Sequence, residues 1–266
     1  MTAPDVWSPA QYERFHAERR RPFDDLLALV QPRPGMRVVD LGCGTGELTR
    51  ALHDRLGARE TVGIDRSPNM LAGSDRFAGR GLTFRTGDLA DLPAAPPWDL
   101  VFSNAAIHWV PDHPALLARL AAALAPGGQL AVQVPANFAH PSHTVAGEVA
   151  REAPFRDALG GWTHDATTVL SPPEYALLLA RLGFVAQEVR LQVYLHRLAA
   201  RDDVVEWTRG TLLTPYAARL RADVFAAFLA RYRERLLPAL DDARPYLFTF
   251  ARILFWGRRD GDAAVS

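Results

Sequence analysis

The chain has no lysine: every fixed positive side-chain charge among its 266 residues is an arginine. Those 30 arginines are matched by 30 Asp and Glu residues, so the formal net charge is +0. A balanced charge argues against the broad electrostatic footprint of proteins that bind nucleic acid or membrane surfaces. Cysteine is nearly absent. The lone Cys43 excludes an intramolecular disulfide and a cysteine metal cluster. No apolar run approaches the roughly 18 residues of a membrane-spanning helix, and the polar, charged N-terminus lacks an apolar signal segment. These absences point to a cytoplasmic protein without a membrane partner. No internal repeat divides the chain. What remains is an ordinary globular composition, 48% hydrophobic, at a length that suits one large α/β domain. The arginine bias has a bland origin in the composition of a GC-rich genome. It also suits two-pronged recognition of carboxylates.

The chain is organised around Val38-Val39-Asp40-Leu41-Gly42-Cys43-Gly44-Thr45-Gly46. Met36 to Leu41 reads as a buried parallel strand that breaks into three glycines at alternate positions. A helical pattern through Leu48, Ala51, Leu52 and Leu56 follows. Strand, tight glycine loop and helix N-terminus together let backbone approach a ligand closely. A dinucleotide fingerprint needs G-x-G-x-x-G. Here Glu47 stands where the third glycine would fall, and Asp40 opens the motif with a carboxylate that would repel a pyrophosphate. Asp40 suits a cationic ligand instead, held directly or through water. D-x-G-x-G-x-G resembles the first motif of class I S-adenosylmethionine (SAM) methyltransferases. The resemblance implies SAM as cofactor, S-adenosyl-L-homocysteine as its product, and Asp40, Gly42, Gly44 and Gly46 as cofactor-binding positions.

Ser8-Pro9 reads as a helix start, with Tyr12, Phe15, Phe23, Leu26, Leu27 and Val30 as apolar positions up to residue 30. Pro22 is expected to kink or split this helix. From Met36 the chain alternates strands at 36–41, 60–64, 82–85, 98–103 and 129–134 with helices near 46–56, 68–77 and 113–124. Pro126-Gly127-Gly128 reads as a turn feeding the fifth strand. The alternation implies a parallel sheet with helices on both faces. Pro135 to Pro173 reads as a loop with short helices. A helix at 172–182 is capped by Ser171 and Gly183. Strands at 184–195 and 247–257 flank a helical stretch, 201–237, interrupted at Pro215, and Asp260 to Ser266 reads as a frayed tail. The resemblance to class I methyltransferases implies a Rossmann-like fold in one domain, with a seven-stranded, mostly parallel sheet and its last strand antiparallel. It comprises an N-terminal helical segment (1–34), a SAM-binding core (35–136), and helical cap insertions at 137–170 and 200–240. These insertions spring from the carboxyl side of the sheet and are expected to cap the ligand site.

Asp65 ends the apolar run Thr61-Val62-Gly63-Ile64, and an acid at that strand end accepts from ribose hydroxyls. Gly87-Asp88-Leu89 follows the third strand. The SAM-enzyme resemblance puts Asp88 at the adenine amino group and Leu89 against the ring, although aspartate is also a common turn residue. Trp98 to Asn104 resembles the family's fourth-strand motif, which implies Asn104 against the methionine end of the cofactor. Asp99 starts that strand, away from the site, and reads as structural.

Further pieces are more specific: Asn104-Ala105-Ala106-Ile107-His108-Trp109-Val110-Pro111-Asp112-His113, Gln133-Val134-Pro135-Ala136-Asn137-Phe138, and Pro141-Ser142-His143. With Tyr12, Arg19 and Arg21-Pro22 near the start, and Tyr194, His196, Trp207, Pro215 and Arg252 later, the chain resembles the trans-aconitate 2-methyltransferase family over nearly its whole length. Gly44-Thr45-Gly46 departs from the frequent G-P-G of that family, and residues 153–170 show little likeness to it. The resemblance implies methyl transfer from SAM to one carboxylate of trans-aconitate, giving a monomethyl ester. An ionised carboxylate, with a pKa of about 4, is already a nucleophile, so no general base is required. Catalysis reduces to placing a carboxylate oxygen in line with the methyl group, while donors hold the spectator carboxylates.

The candidate donors follow. Phe248, Phe250, Arg252, Leu254 and Trp256 share one strand face, and an arginine on an apolar face needs an anion. That anion is either the acceptor or an internal Asp or Glu. Arg19 is the second acceptor-binding candidate, and Arg21 is assigned to the cofactor's carboxylate; either arginine suits either role. His108 and Trp109 are expected to position the acceptor, His108 alternatively being a hydrogen-bonded structural group. His143, Tyr194 and Trp207 fall on the proposed cap, Trp207 alternatively belonging to the core. No metal site is evident. The resulting expectation is a monomer acting on a small carboxylate. Two alternatives stay open: a methyltransferase for a phenol or amine, which would need a base such as His108, and a SAM-binding module without turnover.

Overall fold

The computed structural model describes residues 16–92, 97–164 and 168–261. The expected helix start at Ser8-Pro9, Tyr12 and Phe15 lie outside these residues, as do the side chains of residues 16–19 and the tail beyond Gly261.

Helix α1 (His16–Leu27) runs on through Pro22, so the proline does not split it. Phe23, Leu26 and Leu27 are buried in a core shared with Leu100, Phe102 and Ala131, and Phe23 meets Phe102 edge-on at 5.5 Å. Packing of this face supplies what the missing proline N–H cannot. Then follow β1 (Arg37–Leu41), α2 (Glu47–Leu56), β2 (Glu60–Asp65), α3 (Pro68–Leu71), β3 (Leu82–Thr86), β4 (Trp98–Asn104), α4 (His113–Ala122) and β5 (Leu124–Pro135). After them come α5 (Pro141–Arg151), α6 (Phe155–Ala158), α7 (Pro172–Arg181), β6 (Phe184–Leu198), α8 (Asp203–Arg209), α9 (Thr214–Arg219), α10 (Ala222–Leu236) and β7 (Tyr246–Arg259). The seven strands lie in the order β3-β2-β1-β4-β5-β7-β6. β1 to β5 pair in parallel, and β7 runs antiparallel to β5. The near-continuous apolar runs of β1, β4 and β5 are those of strands covered on both faces.

Three expectations need correction. The helix expected at 68–77 is a single turn, α3, followed by a 3-10 turn at Ser74–Phe77; Gly73 separates them. The fifth strand starts at Leu124, and Pro126 to Gly128 form a bulge within it. Pairing with β4 jumps from Trp98↔Leu124 to Leu100↔Gln129, and Gly127 takes φ 69°. The stretch 201–237 contains three helices. Pro215 opens α9 at its first turn, where its missing N–H has no intrahelical role.

The chain forms two compact units. One gathers described residues within 16–135, 167–192 and 252–266, centred on the Phe23, Val38, Leu52, Phe102 and Leu254 core. Each fully buried leucine there contributes about 1.5–3 kcal/mol. The other lies within 136–166 and 193–251, and its core joins Val145, Ala146, Trp207, Tyr216, Phe228 and Phe248. The Tyr232 hydroxyl in this core donates to the Ser142 carbonyl at 2.8 Å. Arg231 and Arg235 pair with Glu152 and Glu148 on its surface, contacts of small individual worth.

Candidate active site

The glycine loop after β1 is held from three sides. Gly42 N and Cys43 N both donate to the Ile64 carbonyl, at 2.7 and 3.1 Å. Gly44 N donates to Asp65 Oδ2 at 2.9 Å, while Asp65 Oδ1 accepts from Ser67 N at 2.9 Å. The three glycines differ in what their missing side chains allow. A Cβ on Gly42 would stand 2.1 Å from Ala106 Cβ, and one on Gly46 would meet Phe84 at 2.8 Å. Both glycines therefore serve close packing of protein on protein. A Cβ on Gly44 would meet only the flexible end of Met70, at 3.3 Å, so Gly44 presents the open side of the loop. Gly46 caps α2 with φ 87° and no side-chain bond.

Asp40 lies beneath this loop, 4% exposed, accepting from Thr49 Oγ1 at 2.6 Å. Burial pushes its carboxyl up from 3.8 to about 7; the Thr49 hydrogen bond opposes the rise and the negative Asp65 adds to it. Gly87 N donates to the Asp65 carbonyl at 3.0 Å, tying the ends of β2 and β3 together. Beyond it, Asp88 is exposed, Leu89 is buried, and a short 3-10 turn spans Leu89–Asp91.

At the carboxyl end of β4, Asn104 Oδ1 is buried without a hydrogen-bond partner among the described residues. Ala105 follows at φ 57°, a left-handed conformation uncommon for a residue with a Cβ, and is held by its N–H to the Gln133 carbonyl at 2.9 Å. His108 and Trp109 stand next, half-buried, with ring centroids 4.5 Å apart. His113 contacts the Ile107 carbonyl through Nε2 at 3.0 Å and the Tyr175 hydroxyl through Nδ1, an anchor for this segment. Asn104 pairs with Gln133 across the β4–β5 ladder. Arg252 of β7, 5% exposed, donates from Nη1 to Gln133 Oε1 at 3.3 Å. Asp40, Asp65, Asn104, Gln133 and Arg252 thus belong to one compact unit.

The other predicted residues fall as follows. Arg21 is exposed on α1, and the Arg19 side chain lies outside the described ones. The structure instead brings Arg20 to the loop, with Nη1 3.9 Å from Glu47 Oε1. Tyr194 and Trp207 are buried in the other unit, where Trp207 packs on His196, Phe248 and Phe250 at 4.7, 5.7 and 5.8 Å. His143 contacts Ser142 Oγ through Nδ1 at 3.0 Å. Burial, with His140 and His164 nearby, lowers its pKa to about 3, so it offers a neutral hydrogen bond and no charge. Sequence reasoning missed Gln133, Arg20, Thr49 and Ser67. Only Gln133 carries a signal, as one of two glutamines, with Gln129, in a strand that is otherwise largely apolar. Asp99 is structural as expected: it accepts from Arg37 N at 2.8 Å. Among the described residues, no group of three His, Cys, Asp or Glu side chains is placed to hold a metal ion.

Comparison with known proteins decides the family. Residues 14–189 match the family described as "Methyltransferase domain". The chain is 44% identical to the trans-aconitate 2-methyltransferase of Deinococcus radiodurans over 96% of this chain and 98% of that protein. It is 43% identical to that of Methylobacterium nodulans over 95% of this chain and 98% of that protein. The chain belongs to the trans-aconitate 2-methyltransferase family. It is a SAM-dependent methyltransferase, and its Rossmann-like fold recurs in distant solved structures. A methyltransferase from Geobacter sulfurreducens in complex with S-adenosyl-L-homocysteine is 20% identical, with a TM-score of 0.55, over 96% of this chain and 100% of that one.

The residues present in this methyltransferase fit SAM. The ligand's ammonium suits the unpartnered Asn104 Oδ1, and its net positive charge suits a site with Asp40 and Asp65. Asp65 stands at the end of β2, where a carboxylate, which offers about four acceptor sites, suits ribose hydroxyls. Asp40 gives a pH prediction. Its folded pKa, about 7, lies above the ordinary 3.8, so the native apoprotein holds a proton that the unfolded chain has released. Stability from this group is present at low pH and is lost as pH rises from about 4 through 7. Asp40→Asn should therefore unfold at a higher temperature than wild type at pH 8 without SAM. Wild-type SAM affinity should rise as pH passes 7, and the variant's should stay flat. Calorimetry across pH 6 to 8 checks both; parallel binding curves contradict the role given to Asp40.

Proposed function

We propose that this methyltransferase transfers the methyl group of SAM to one carboxylate of trans-aconitate, as the names of its relatives describe for them. The observation that carries the reading is the buried Arg252–Gln133 pair at the carboxyl ends of β4 and β5, a donor-rich feature that suits a polyanionic acceptor. The bound sulfonium supplies an activated methyl group. The chain's own residues then bind and orient. Asp40, Gly42, Gly44, Gly46, Asp65, Asp88, Leu89, Asn104 and Arg21 hold the cofactor in this proposal. Arg252 grips a spectator carboxylate through its fork. Arg19, His143, Tyr194 and Trp207 are the other acceptor-binding candidates of this proposal, and His108 and Trp109 orient the reacting carboxylate in it. No residue removes a proton, because the nucleophile is already ionised at pH 7. The protein works as a monomer in the cytoplasm on a small molecule, without nucleic acid. Among the described residues, no helix is long and apolar enough to cross a membrane.

Initial rates of S-adenosyl-L-homocysteine formation with di- and tricarboxylates, phenols and amines test the proposal. Trans-aconitate should exceed every phenol and amine by at least about tenfold, and at saturating SAM its rate should fall only as the acid is protonated. His108→Asn should retain turnover. Loss of all turnover in that variant, with both ligands still bound, would return the reading to base-assisted chemistry on a phenol or amine.

A further inference from the structure

Strand β5 carries two glutamines, Gln129 and Gln133, both 0% exposed and four residues apart, hence on the same strand face. Their hydrogen bonding differs. Both polar atoms of Gln129 are employed: its Oε1 accepts from Gln31 N at 2.8 Å and Trp256 Nε1 at 2.9 Å, and its Nε2 donates to the Gln31 carbonyl at 2.8 Å. Gln133 is half employed. Its Oε1 accepts from Arg252 Nη1 at 3.3 Å, while Nε2 is buried with no partner among the described residues. The guanidinium has only donors, so the amide oxygen must face Arg252 and the amide nitrogen must face away. This removes the usual ambiguity between amide O and N. The neighbouring position across the ladder is Asn104, whose Oδ1 is likewise buried with no partner among the described residues. A buried donor and a buried acceptor stand on adjacent strand ends without bonding to each other. A buried polar group left unpaired is destabilising, and Gln129 shows that this strand face can give both ends of a glutamine amide a partner. The open pair therefore points to ligand groups of opposite kinds.

We infer that Gln133 is a second acceptor-binding residue of this methyltransferase, donating Nε2–H to the spectator carboxylate that Arg252 holds, while Asn104 Oδ1 accepts from the cofactor's ammonium. Gln133 also orients Arg252, since its oxygen anchors one arm of the guanidinium fork. This deepens the proposed function and rests on its acceptor being a polycarboxylate.

The test uses Gln133→Met, which keeps volume and apolar packing but removes the amide, and Gln133→Glu, which places a negative charge beside Arg252. Calorimetry measures trans-aconitate binding to each protein saturated with S-adenosyl-L-homocysteine, and SAM binding to each alone; rates are measured separately. Gln133→Met should weaken trans-aconitate binding and raise its KM by about tenfold or more, with kcat and SAM affinity within about threefold of wild type. Gln133→Glu should weaken the acceptor further. In the double variant with Arg252→Met, the two losses should be less than multiplicative. If Gln133→Met weakens SAM and leaves trans-aconitate unchanged, the amide serves the cofactor and the inference is wrong. If both affinities are unchanged, Gln133 is structural and the inference is equally wrong. Wild-type protein that binds trans-aconitate without methylating it would overturn the proposed function and leave the role of Gln133 standing on the binding data. Wild-type protein that binds no polycarboxylate overturns both.

Discussion

Asp65→Ala should weaken SAM binding about a hundredfold or more while lowering the unfolding temperature by only a few degrees. Two effects combine. The ribose hydroxyls lose charge-assisted hydrogen bonds, each worth about 1.5–3 kcal/mol. The carboxylate also bonds Gly44 N and Ser67 N, both at 2.9 Å, so the loop whose open face presents Gly44 loses its tether. Asp65→Asn separates these effects, because an amide retains one acceptor oxygen for the backbone but introduces donors toward the ribose. It should fall between wild type and alanine. Isothermal calorimetry with SAM, together with a thermal melt, checks the result. A folded Asp65→Ala protein with unchanged SAM affinity contradicts the assignment of this acid to the cofactor.

The second large effect is expected at Arg252. Arg252→Met should raise the KM for trans-aconitate by about a hundredfold or more, the range expected when one partner of a buried charged pair is removed. Arg252→Lys should raise it less, because a point charge remains although the fork is lost. Neither change should move SAM affinity by more than a few fold, since the cofactor site proposed above lies at the glycine loop and the acids of β1 and β2. A monocarboxylate acceptor separates recognition from folding: with no spectator group to hold, it should be nearly indifferent to the substitution. Equal losses for mono- and tricarboxylates, or a protein that fails to fold, would make Arg252 a structural partner of Gln133 and its neighbours.

Much of the fold is legible because β1, β4 and β5 are apolar runs that only a two-sided sheet can bury, and because D-x-G-x-G-x-G fixes where strand becomes loop and loop becomes helix. The same motif locates Asp40 and, through the next strand end, Asp65. Other features depend on partners that no local pattern encodes. Successive residues on α1 differ by about 100° around the axis, so Arg19, Arg20 and Arg21 are indistinguishable until Phe23 and Leu26 are seen packed against β4. Only then does Arg20 emerge as the residue beside Glu47. Trp207 offered two readings, ligand contact and core, and its burial among His196, Phe248 and Phe250 depends on strands far away in sequence. Gln133 reads as an anomaly within an apolar strand; its meaning needs Arg252, which lies 119 residues further on. The bulge at Pro126 to Gly128 has the sequence of a turn, because glycine and proline signal a break in pairing without saying whether the strand resumes on the same ladder.

The central claim, carboxyl methylation of trans-aconitate, is tested most directly by the identity of the product. Purified protein incubated with methyl-labelled SAM and trans-aconitate should yield a monomethyl ester, seen by mass spectrometry as one added labelled methyl group and returned to free acid by mild alkali. A methylated product stable to alkali, or label transferred to phenols or amines but not to trans-aconitate, would contradict the account.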